Sequence, residues 1–145
     1  MITPLVSTSG QTVVIDASLW ISFLLPGDVH HMSAVIWLNA HINGGGNIVA
    51  PSILAVETGS GIARVAQNAA FARNAVSVTY SFPYLSMQGM DQAVIDEATD
   101  VAITFGLKGA DSIYVALAKQ LGVPLVTFGN EQLTRPASVI ATIRP

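Results

Sequence analysis

The chain has 145 residues, of which 51% are hydrophobic and 10% charged, with a formal net charge of −3 and no cysteine. That length suits a single domain, and the lack of cysteine excludes disulfides, zinc–thiolate sites and a cysteine nucleophile. Six Lys and Arg residues are few for extended phosphate binding, and neither a run of about 18 apolar residues nor a basic apolar leader is present, so a cytoplasmic chain with no membrane span is expected.

Residues 1–12, rich in Ser and Thr, read as a flexible N-terminal arm, and residues 13–145 as one domain. Val13-Val14-Ile15 is a short β-branched run ended by Asp16; apolarity on both faces predicts a buried parallel strand. Ser18 to Leu25 follows as a short helix stopped by Pro26-Gly27. Ser33 to Ile42 has helical apolar spacing and ends in Asn43-Gly44-Gly45-Gly46. Ile48-Val49-Ala50 is a second strand. Pro51-Ser52 opens a long helix, Ile53 to Ala72, because Pro is favoured in a first turn, although Gly59 and Gly61 weaken its middle. Val76 to Tyr80 alternates and reads as a third strand or an extended connection. Asp91 to Phe105 and Gly109 to Leu121 are helices closed by Gly106 and Gly122. Val123 to Thr127 and Ser138 to Ile143 complete the strands. Alternation of strand and helix predicts an α/β fold with a mostly parallel sheet.

In such a sheet, ligands bind beyond the carboxyl ends of the strands. Asp16 ends the first strand, Glu57 lies one to two turns into the helix after the second, and Asp111 opens the helix before the fourth. Converging carboxylates raise one another's proton affinity unless a cation neutralises them. Oxygen donors without His or Cys suit Mg2+ or Mn2+, which can activate a water for attack on phosphorus. Each acid also has a plainer reading. Asp16 can cap the next helix, Glu57 can face solvent, and Asp111 can answer the helix dipole.

The segments VVIDASLWISFLL, APSILAVETGSGIAR and GLKGADSIYVALAKQLGVPLVTFGNEQL resemble, in order and spacing, the blocks of PIN domains such as the VapC toxins of toxin–antitoxin pairs. The resemblance implies a three-layer α/β/α sandwich and metal-dependent RNA cleavage. It places the catalytic and metal-binding acids on Asp16, Glu57 and Asp111, and the hydroxyl of the last motif on Thr127. The fourth acid would fall at position 129, where this chain has Gly129. Glu131 is close in sequence but reads better as a surface residue. The resemblance further implies a homodimer and an antitoxin protein as partner.

Other polar residues also admit two readings. Ser18 can support a metal-bound water or cap its own helix. Arg64 shares a helical face with Glu57 and can contact phosphate, as can Lys108. Asp96 and Asp100 read as an exposed acidic stripe. His30, His31 and His41 lack HxxxH spacing and read as loop and surface residues. The Gly44-Gly45-Gly46 run lacks the Lys-Ser/Thr of a phosphate loop. A charged share well below the roughly 25% typical of soluble domains points to a large core, a buried subunit interface, or both. Ile36, Trp37 and Phe71 are candidates for partner surfaces. Two functions result: a Mg2+- or Mn2+-dependent endoribonuclease toxin acting on RNA, or a degenerate PIN domain that binds RNA or a protein with weak or no catalysis. A nucleotide-binding or phosphatase-like protein is disfavoured, because no glycine-rich loop follows the first strand.

Overall fold

The computed structural model describes Thr8 and residues 10–145; residues 1–7 and 9, most of the expected arm, lie outside the described residues. The β-branched run forms β1 (Thr12–Ile15). Asp16 ends it and accepts a hydrogen bond from the Leu19 N–H, which starts α1 (Ala17–Leu24). Then come α2 (His31–Asn43), β2 (Asn47–Pro51), α3 (Ile53–Ala66), α4 (Ala69–Ser81), β3 (Leu85–Gln88), α5 (Gln92–Phe105), α6 (Gly109–Leu121), β4 (Leu125–Val126), α7 (Asn130–Thr134) and β5 (Thr142–Ile143).

The five strands are all parallel, in the order β3-β2-β1-β4-β5. Right-handed crossovers carry the chain from β1 outward through β2 to β3, placing α1 to α4 on one face. The next crossover returns it past β1 to β4, placing α5 and α6 on the other. The contacts follow this division, with α1 against α2 and α3, α3 against α4, and α5 against α6. The result is the α/β/α sandwich expected from the sequence. Strand order reverses between β1 and β4, so the crevice at a topological switch point opens beyond Ile15 and Val126.

Three local expectations are corrected. The long helix after β2 is two helices. It breaks at Gln67, whose φ of 51° is left-handed, and Asn68 caps α4 by accepting from the Phe71 N–H at 3.0 Å. Residues Val76 to Tyr80 belong to α4 rather than to a strand. Their β-branched character imitates a strand, yet the buried residues Ala72, Ala75 and Thr79 keep helical spacing. The third strand is instead the half-buried edge segment Leu85–Gln88, paired only with β2. Gly59 and Gly61, read as weak points, are close approaches. A Cβ on Gly61 would lie 2.6 Å from Ile21 of α1, and one on Gly59 3.2 Å from Val76 of α4.

The core contains Val13, Ile15, Leu19, Trp20, Leu38, Ile48, Leu117 and Leu125, all fully buried or nearly so. Trp37, expected as a candidate partner surface, is instead part of it at 3% exposure, its ring stacked on His41 at 4.9 Å. Ile36 and Phe71 remain exposed. His41 is likewise buried, not a surface residue. Its Nε2 lies 2.9 Å from the Asn47 carbonyl, which can only accept, and its Nδ1 meets the Thr8 hydroxyl. Among the described residues, no single helix is long and apolar enough to cross a membrane.

Candidate active site

Asp16 leaves β1 at the switch point and is 2% exposed. Its Oδ1 accepts from the Ser18 hydroxyl at 2.7 Å and from the Leu19 N–H at 3.2 Å. Its Oδ2 accepts from the hydroxyl of Thr127, just past β4, at 2.6 Å. Ser18 Oγ in turn accepts from the Phe128 N–H at 3.1 Å. Cap and site role are therefore one arrangement. The hydrogen bonds that start α1 also hold the carboxylate against the chain leaving β4.

Burial raises the Asp16 carboxyl from an ordinary 3.8 to about 6, against the lowering effect of its hydrogen bonds, and the charge of Asp111 adds to the rise. Asp111, in the first turn of α6, is also raised, first by burial and then by Glu131, while Lys108 pulls it down. Glu57, in the second turn of α3, is raised by burial and by Asp111. The charge of Asp111 thus reaches both Asp16, at the end of β1, and Glu57, on α3.

Two further residues complete the site. Tyr114 lies one turn after Asp111 on α6 and is 1% exposed. Its hydroxyl donates to Glu57 Oε1 at 2.6 Å. Burial and the three neighbouring acids hold the phenol protonated. The one sequence signal for Tyr114 is its i+3 spacing from Asp111. Gln132, on α7, is 3% exposed. Its amide lies between the Thr127 hydroxyl at 3.1 Å and the Asp111 carbonyl at 3.4 Å. Gln132 lies at the end of the last matching block, where the residue type alone carried no signal for a role.

The remaining candidates lie further out. Arg64 is exposed in the last turn of α3. Lys108 is exposed at the cap of α6, where its charge reaches Asp111. Glu131 is exposed and pairs with Arg135 at 3.3 Å, although its charge is also felt at Asp111. Asp96 and Asp100 are exposed on α5, where Asp96 accepts from Gln92. His30 is half-buried and stacks on Phe128 at 4.5 Å. His31 is half-buried, with Nδ1 2.8 Å from the Ser22 carbonyl.

Family comparison agrees with the architecture. The PIN domain model matches residues 13–137. The chain belongs to the PIN-domain family. Solved PIN-like structures superpose along almost the whole chain. VapC20 of Mycobacterium tuberculosis, a sarcin-ricin loop cleaving toxin, matches at TM-score 0.75 and 15% identity, over 92% of this chain and 99% of that one. VapBC2 from Rickettsia felis, bound to a DNA fragment from its promoter, matches at 0.68 and 9%, over 92% and 98%. A toxin–antitoxin complex from Klebsiella pneumoniae matches at 0.61 and 19%, over 90% and 95%. No curated protein sequence matches the chain. At these identities the likeness is one of fold.

Whether Asp16, Glu57 and Asp111 suit a metal depends on their chemistry. Among the described residues no three His, Cys, Asp or Glu side chains converge into a ready-made cage. The donor set nevertheless fits a hard divalent ion. It consists of carboxylates and hydroxyls, with proton affinities raised by burial and mutual repulsion that a cation would relieve. Mg2+ keeps several waters and takes only one or two carboxylates directly, so it does not require a cage.

Proposed function

We propose that the chain is a divalent-metal-dependent endoribonuclease, the toxin of a cytoplasmic toxin–antitoxin pair. The observation that carries this reading is geometric: at the sheet's switch point the buried Asp16 is held by the Thr127 hydroxyl at 2.6 Å, and Glu57 of α3 is joined at 2.6 Å to Tyr114, one turn after Asp111 on α6. Asp16, Glu57 and Asp111 would hold Mg2+ or Mn2+, which polarises a water and neutralises charge on phosphate.

The protein's own groups divide the remaining work. Ser18, Leu19 and Thr127 hold Asp16 in one orientation. Tyr114 donates to Glu57 Oε1 at 2.6 Å, which orients that carboxylate and leaves Oε2 for the cation. The water oxygen would bond to phosphorus as the bond to the leaving ribose oxygen breaks, the attacking water giving its proton to solvent and the leaving oxygen taking one from solvent water. Lys108 and, further out, Arg64 would meet neighbouring phosphates. The antitoxin would be a small protein with its own DNA-binding part. Exposed apolar residues such as Ile36 and Phe71 would serve the dimer or that partner.

Purified protein mixed with a structured RNA tests the reading. Cleavage is expected with Mg2+ or Mn2+ and not with EDTA. Asp16→Asn or Asp111→Asn should each lower the rate by about 100-fold or more, as loss of a metal ligand does. Undiminished cleavage by both variants overturns the site. The second reading, a degenerate PIN domain that binds without cleaving, is favoured by Gly129 at the fourth acidic position. It predicts metal binding with no cleavage at any metal concentration.

A further inference from the structure

Gly129 has an ordinary backbone, with φ −72° and ψ 117°, so conformation does not demand a glycine there. Space does. A Cβ on Gly129 would lie 2.6 Å from Gln132 Oε1 and 3.4 Å from Thr127 Oγ1. Any side chain at 129 must displace the Gln132 amide from Thr127 and Asp111. The volume into which an acid at 129 would grow is filled by a carboxamide from the next helix.

Proton counting shows that this amide is incompletely satisfied. The Thr127 hydroxyl has one proton, and it goes to Asp16 Oδ2 at 2.6 Å. Thr127 Oγ1 already accepts from the Gly129 N–H at 2.9 Å. Gln132 Oε1, 3.1 Å from Thr127 Oγ1, therefore receives no proton from it. Turning the amide over moves the problem: the nitrogen then donates to Thr127, and the oxygen meets the Asp111 carbonyl at 3.4 Å, acceptor against acceptor. Gln132 is only 3% exposed. While Asp16 is ionised, the buried amide oxygen receives no proton from Thr127 in one orientation and faces the Asp111 carbonyl in the other, which is costly unless something else binds it.

We propose that Gln132 replaces the acid missing at position 129, its carboxamide oxygen acting as a neutral ligand for the divalent cation held by Asp16 and Asp111. The inference rests on the metal reading above. Carboxamide oxygens suit hard divalent ions as carboxylates do. Exchanging a carboxylate for an amide removes one negative charge, which leaves a site matched to one cation rather than two. Gly129 and Gln132 then form a coupled pair, and Gly129→Asp alone does not rebuild the four-acid site.

Mn2+ binding followed by electron paramagnetic resonance, without RNA, tests this on the full chain. Gln132→Ala should weaken Mn2+ binding about 10-fold. Gln132→Glu, the same size with a charge added, should tighten it, and Gly129→Asp combined with Gln132→Ala should restore at least wild-type affinity. Wild-type affinity in both Gln132→Ala and Gln132→Glu, with Asp16→Asn still deficient, overturns the role of Gln132 and leaves the metal reading intact. Wild-type affinity in Asp16→Asn overturns the metal reading and this inference with it. Melting gives a metal-free readout in EDTA. Gly129→Ala should lower the melting temperature in the native background and not alongside Gln132→Ala. Equal losses in both backgrounds would remove the coupled pair.

Discussion

Asp16 illustrates how one residue answers to two constraints. It caps α1, which favours the ionised carboxylate, and it is buried, which opposes ionisation more strongly. In the unfolded chain the carboxyl titrates at its ordinary 3.8, and in the folded protein at about 6. Between those values the folded state holds a proton that the unfolded state has lost, so stability of the metal-free protein falls as pH rises from about 4 to 6. A difference of this size between the folded and unfolded carboxyl corresponds to about 3 kcal/mol, and the raised Glu57 and Asp111 act in the same direction. Thermal melts in EDTA should therefore give a higher melting temperature at pH 5 than at pH 7. Asp16→Asn should flatten much of that slope and stabilise the metal-free protein at pH 7 by about 1–3 kcal/mol, while abolishing cleavage. Asn keeps the cap, so stabilisation with lost activity would assign the loss to the carboxylate's charge rather than to its capping role.

The break between α3 and α4 shows what sets an element's limits. A helical signal runs through Ile53 to Ala72, and the chain nevertheless turns at Gln67 in a left-handed conformation that side chains with a Cβ adopt at a cost. Asn68 offsets part of this by capping the new helix. Turning there lets α4 fold back on α3, with Gly59 allowing Val76 to approach, and lets Thr79 accept from the Trp20 indole at 2.8 Å. Gln67→Gly should relieve the backbone strain and stabilise the protein by about 1 kcal/mol, read as a shift in the urea midpoint at unchanged slope. A neutral or destabilising result would mean that the Gln67 side chain contributes more than the strain costs.

At the scale of the molecule, strand order gathers the acids. β1 lies at the centre of the sheet, and reversal of winding between β1 and β4 brings Asp16 beside Thr127. Helices from opposite faces of the sheet, α3 and α6, then meet at its carboxyl edge through Tyr114 and Glu57. The folded chain thus concentrates negative charge that the unfolded chain disperses, so a cation should bind the folded state preferentially. At a metal concentration 100 times the dissociation constant, linkage adds about 2.7 kcal/mol, or roughly 8 °C in melting temperature for a domain of this size. Mg2+ or Mn2+ should produce that rise in calorimetry, and Asp16→Asn with Asp111→Asn should remove it. An equal rise in the double variant would place the cation elsewhere.

Much of the architecture was already written in local pattern. The buried strands Val13–Ile15 and Ile48–Ala50, the helices closed by Gly106 and Gly122, and the α/β alternation follow from short-range sterics, capping and hydrophobic period. The PIN-domain blocks were legible for the same reason: the residues that build each element are contiguous. The edge strand Leu85–Gln88 was not legible, because a half-buried strand with one partner carries little hydrophobic signal. Nor was the burial of Trp37 and His41, which depends on elements packed from elsewhere in the chain. The candidate site divides along the same line. Asp16, Glu57 and Asp111 stand out as acids in local context, whereas Tyr114, whose spacing from Asp111 is its one local signal, and Gln132 are tied to the site by contacts with residues 57 and 21 positions away. An empty position at Gly129 was readable from sequence. That a buried carboxamide fills its space is a fact of tertiary packing, because only the folded chain brings α7 back onto the end of β4 and the start of α6.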